Sequence, residues 1–90
     1  MSDLDELLAS LHDHLQATEE LPLDESANRL LGEAEAVAAD AAQGDLDDDV
    51  ARERVEKVAD LLAEIDGTGH EEGDQHVAAA RRAADRILDR

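Results

Sequence analysis

In four stretches of this chain the apolar residues recur three and four positions apart, and residues that favour turns separate the stretches. That spacing places them on one face of an α-helix and excludes the strict alternation of a half-buried strand. In the first stretch Leu4, Leu7, Leu8, Leu11 and Leu15 lie within about 100° of a helical wheel, after Ser2, which can cap the helix with Asp5 three residues on. Leu21-Pro22-Leu23-Asp24 interrupts this helix, because proline disfavours helical geometry in the residue before it, and Asp24 can cap the next. The second stripe is Ala27, Leu30, Leu31, Ala34, Val37, Ala38 and Ala41, and Gly44 stops it. Its alanines imply that another helix approaches closely.

A third helix follows Asp45-Leu46-Asp47, where acids suit the positive end of the helix dipole. Its apolar positions Ala51, Val55, Val58, Leu62 and Ile65 alternate four and three apart, the spacing of a coiled-coil-like seam, and Gly67 ends it. The longest connection runs from Asp66 to Asp74, and Asp74 can cap a last helix with the stripe Val77, Ala80, Ala84, Ile87 and Leu88. The reading is therefore all-α: one domain, 1–90, of four antiparallel helices over about 3–19, 25–43, 48–65 and 75–89. Ninety residues hold one modest core. A homodimer that buries more Leu and Val surface is expected.

Charge sets the solvent. There are 25 acidic residues against eight basic ones, a formal net charge of −17, with no aromatic residue, 17 alanines and a single lysine, Lys57. Disorder is the rival reading, since Leu, Ile and Val supply only 20 of the 90 residues. Four amphipathic segments with matched caps and stops favour a folded bundle instead. Such composition fits very high salt. At ~1 M salt the Debye length is ~3 Å, so self-repulsion is screened. The absence of cysteine removes disulfides, thiolate metal sites and thiol nucleophiles, and points to a reducing, cytoplasmic setting. Asp3, Asp5, Glu6 and Asp13 oppose a signal peptide, and the longest uncharged apolar run, near Ala36–Ala39, is too short for a membrane span.

The chemistry-bearing residues are few. Acids fall at positions 1, 3, 5, 9 and 12 of a calcium-loop pattern at Asp45, Asp47, Asp49, Glu53 and Glu56. Val50 stands where that loop needs glycine and Arg52 where it is uncharged, so capping acids running into a solvated helix face are the better account. His12 and His14 sit about 200° apart on their helix and cannot grip one ion. They flank the leucine stripe on opposite sides. The better metal candidate is His70, Glu71, Glu72, Asp74 and His76, a histidine and carboxylate set suited to a divalent cation. Its glycines leave the ligands unoriented, and Asp74 stands where the His-Glu-x-x-His helix motif needs its second histidine.

Arg82, Arg86 and Arg90 share a face at four-residue spacing, and from Gln75 onward the chain is +2 while the rest is −19. Ion pairs with acidic neighbouring helices are expected of them, since no aromatic side chain can stack a base and the body repels phosphate. Nucleic acid and membrane surfaces are thus not expected partners. Few serines, three in all, no paired acid and base, and no glycine-rich phosphate cradle with its lysine make an enzyme unexpected, and no cofactor is implied. The expected role is a helical interaction module. Its candidate docking or core positions are Leu4, Leu8, Leu11, Leu15, Val55, Val58, Leu62 and Ile65, which sequence alone does not divide. The alternative is a divalent-cation binder using 66–76 or 45–56.

The segment 27–41, with its Ala-Asn-Arg-Leu-Leu-Gly start, and the stretch from Asp47 to Gly69 resemble small uncharacterised helical proteins of halophilic archaea. The resemblance rests on composition and helix order. It implies a salt-filled archaeal cytoplasm and carries over no functional residue.

Overall fold

The computed structural model describes residues 3–43 and 46–89, so the expected Ser2 and Gly44 signals, with Asp45, lie outside the described residues. Four helices follow in order: α1 (Asp3–Thr18), α2 (Glu25–Ala42), α3 (Asp48–Ala63) and α4 (Glu71–Leu88). Each packs on two others in a closed ring, α1 on α2 and α4, and α3 on α2 and α4. Among the described residues the diagonal pairs bring no Cα atoms within 8 Å of each other. The connections 19–24 and 64–70 lie at one end of the bundle, where the Asp24 N–H donates to the Thr68 carbonyl at 2.8 Å. The radius of gyration, 12.1 Å, is that of a fully packed domain of this length, about 12 Å.

The core is built from the stripes. Leu11, Leu15, Leu31, Leu62 and Ile87 are the largest fully buried side chains, joined by Val55 and Val58. On α2 the buried face is Ala27, Leu31, Ala34, Ala38 and Ala41, so one leucine and four alanines meet the neighbouring helices. Small side chains there let backbones approach, while Leu30 and Val37 are half-buried beside them. Burial is the main stabilising term, since isolated helices of this length are marginal in water.

The ends of α1, α2 and α3 fall within two residues of the spacing-based bounds, but α4 begins at Glu71, four residues before its expected start at 75. Asp74 is not its cap. His70 holds that position with extended backbone, and its Nδ1 accepts from the N–H groups of Glu72 (3.1 Å) and Gly73 (3.4 Å). Two of the donors that a helix start leaves orphaned are thereby satisfied. The preferred caps are Ser, Thr, Asp and Asn, so histidine in this role carries no sequence signal. Asp24 and Asp47 do stand at the cap positions of α2 and α3, but neither side chain makes a capping bond.

The α3 helix ends at Ala63, two residues early, and Ile65 still turns into the core at 5% exposure. Arg81 of α4 donates to the carbonyls of Leu62 (2.5 Å) and Ile65 (2.7 Å). A guanidinium there adds a second donor to the Leu62 carbonyl, which already accepts from the Ile65 N–H at 3.1 Å, and opposes the negative end of the dipole. Among the described residues, which leave out Arg90, the arginine ion pairs expected from sequence do not form. Between described residues the ion pairs are His12–Glu35 and His76–Glu72, with no arginine and no lysine among them.

Candidate functional site

All eight proposed docking or core positions are core. Leu4, Leu8, Leu11, Leu15, Val55, Val58, Leu62 and Ile65 are each at most 7% exposed within the single chain. The helix faces read as possible interfaces are consumed by the bundle itself. Four amphipathic stripes of similar length close on each other, which a sequence with no partner in view leaves undecided.

The five loop residues read as a metal set go to separate tasks. His70 caps α4 through Nδ1. Asp74 turns back to Thr68, whose N–H donates to Oδ1 at 2.8 Å and whose hydroxyl lies 2.9 Å from the same oxygen. The backbone bond from Thr68, then its hydroxyl, with His70 adding a smaller attraction, hold the Asp74 carboxyl below its ordinary value. Glu71 and Glu72 are exposed, and Glu72 lies 3.8 Å from Nε2 of His76. Among the described residues no three histidine, cysteine or acidic side chains converge as a metal cage. The 45–56 run offers no loop either, since its part from Asp48 onward is helix α3.

Around Thr68 the two connections lock together. Thr68 is fully buried, and its hydroxyl reaches the His70 carbonyl at 2.9 Å as well as Asp74. One hydroxyl proton serves one of these acceptors at a time. Gly69 has a φ of +77°, the left-handed region, and a Cβ there would stand 2.6 Å from a carboxylate oxygen of Asp24. A Cβ on Gly73 would meet Leu23 and Thr68 at 2.7 Å. At Gly69 the left-handed backbone is what favours glycine, whereas at Gly73 the buried Thr68 makes it a matter of packing.

Two histidines with distant positions in the chain meet between α1 and α4. Nδ1 of His14 lies 3.2 Å from Nδ1 of His76, with ring centroids 5.4 Å apart and planes tilted by 44°. His12, on the other side of α1, donates from Nε2 to Glu35 of α2 at 2.8 Å. The opposite placement of these two histidines was legible from their spacing; the partners were not. Beside His14 runs an open groove lined by Leu7, Ser10, Ala79, Arg82, Ala83 and Arg86. It brings two arginines and small apolar side chains together on an otherwise acidic body.

These features define an acidic four-helix protein whose polar clusters sit at helix ends and along the α1–α4 seam. The chain belongs to the family described as Domain of unknown function (DUF8152), whose model matches residues 7–90. No curated protein and no solved structure matches it. No described helix is long and apolar enough to cross a membrane.

Proposed function

We propose that this chain is a non-enzymatic helical module adapted to a salt-rich archaeal cytoplasm, and that it acts by docking onto protein, in the first place a second copy of itself. The observation that carries the salt reading is the state of the acids. Every described Asp and Glu except Glu35 is exposed, and no described arginine or lysine pairs with a described carboxylate. Charged surfaces built for heat organise acids and bases into ion-pair networks. A surface of carboxylates facing solvent suits hydration in competition with salt.

Docking draws its support from the α1–α4 groove. Among the described residues Arg82 and Arg86 have no carboxylate partner there, and the groove is complementary to an acidic surface, which a second copy supplies. Phosphate-bearing partners are disfavoured by the −17 charge. A non-enzymatic role fits the polar groups that the fold does assemble, because His70, Thr68, Asp74 and Arg81 are engaged at helix ends.

Far-UV circular dichroism and sedimentation velocity across one KCl series test both halves. Helix should approach completeness only near or above ~1 M, where screening reaches contact range, and a dimer should accompany it. Full helix in dilute buffer with a monomer at every salt concentration would overturn the proposal.

A further inference from the structure

We infer that His14 and His76 form a two-histidine site for a transition-metal cation of the zinc class, with the remaining coordination positions open to water. The separation of the two Nδ1 atoms, 3.2 Å, is the first ground. Two nitrogens about 2.0–2.1 Å from a zinc ion at the tetrahedral angle are about 3.3–3.4 Å apart. The rings therefore stand within about 0.2 Å of the separation a shared ion needs, with both atoms of the metal-ligating type.

The second ground lies behind the ligand. Nε2 of His76 faces Glu72, one helical turn earlier, at 3.8 Å. At that separation there is no hydrogen bond, but the carboxylate's charge favours a proton on Nε2 and so leaves Nδ1 free to coordinate, and a rotation of the exposed Glu72 would complete the carboxylate–histidine–metal arrangement. His76 is also sheltered, with its side chain 25% exposed. His70 is not available in this way, because its Nδ1 is spent on the start of α4.

In the metal-free protein one of the facing Nδ1 atoms carries a proton and donates it to the other. An arriving cation requires that proton to move to Nε2 of the same ring, which leaves both Nδ1 lone pairs for the ion with no net proton released. Arg82, which shares the groove with His14, adds positive charge nearby. That repulsion is common to every divalent ion, so the ligands decide: calcium and magnesium take oxygen, whereas zinc, nickel and copper gain from imidazole. With no third histidine or carboxylate converging among the described residues, the site binds moderately and keeps open positions. The inference does not rest on the docking proposal above, although His14 lines the same groove.

Calorimetric titration of the full chain with ZnCl2 in concentrated KCl tests it. Wild type should take up one ion saturably, His14→Ala and His76→Ala should each lose that uptake, and His12→Ala and His70→Ala should keep it. Glu72→Gln should weaken it about tenfold. Because a variant can lose its fold, wild-type histidine 15N resonances give a second measurement: zinc should shift Nδ1 of His14 and His76. Equal uptake by wild type and folded His14→Ala, absence of saturable uptake, or shifts at His12 or His70 instead would each overturn the site.

Discussion

Gly69 is held by its backbone. Its φ of +77° suits glycine, and the exposed Asp24 carboxylate beside it would have to swing aside for a Cβ. Gly69→Ala should therefore cost about 1–3 kcal/mol, read as a lower denaturation midpoint at fixed high KCl; an unchanged midpoint would show that the turn relaxes freely. Asp74 makes a pH-dependent contribution whose sign follows from Thr68. Its carboxyl is depressed below the ordinary 3.8, so it stabilises the fold above that value and ceases to as pH falls through the lower folded-state value. On acidification toward pH ~2, past the ordinary carboxylate range, wild type should lose stability relative to Asp74→Asn, and the two melting curves should converge. A constant gap between them across that range would refute the Thr68 bond as the cause. Neither residue's role was readable beforehand. Asp74 looked like a cap because acids precede helices, and the true cap is a histidine, a type outside the favoured set.

Among the elements, α2 shows most directly how a sequence pattern becomes packing. Ala34 and Ala38 are at most 1% exposed, while Ala36 faces solvent. If close helix approach is what these alanines provide, Ala34→Leu should destabilise by about 1–3 kcal/mol through overpacking, and Ala36→Leu should stay within about 0.5 kcal/mol of wild type. Urea midpoints for the two variants decide it, and equal midpoints would mean the interface has room to spare. Helix number, order and buried faces were legible because one periodicity governs all of them. Leu4, Leu11, Val55 and Leu62 fell on the right faces, yet the division between core and docking surface needed the partner helix in place. Contacts made by long or polar side chains across helices, such as Arg81 on the end of α3 or His14 on His76, leave no trace in periodicity. Loop positions 66–76 were the least legible stretch, because a composition of glycines and acids fits a solvated coil and a tight cap equally well.

For the molecule as a whole, charge and size set the same scale. The bundle measures 35 × 20 × 19 Å. At ~0.01 M salt the Debye length is ~30 Å, so each carboxylate feels nearly all the others, whereas at ~1 M it is ~3 Å and only neighbours interact. The predicted rise of helix with KCl is the collapse of that long-range repulsion, set against a core in which alanine is the commonest residue. Local repair of a single pair would not reproduce it, since the repulsion is distributed over the surface.

The ring of four helices also has a topological consequence. The start of α1 and the end of α4 share one groove, lined by Asp3, Glu6, Leu7, Arg86 and Asp89. No helix is first in space. A circular permutant that bridges those ends with a short linker and opens within 43–47 would keep all four interfaces, the Asp24–Thr68 link and the His14–His76 pair, because none of them depends on where translation begins.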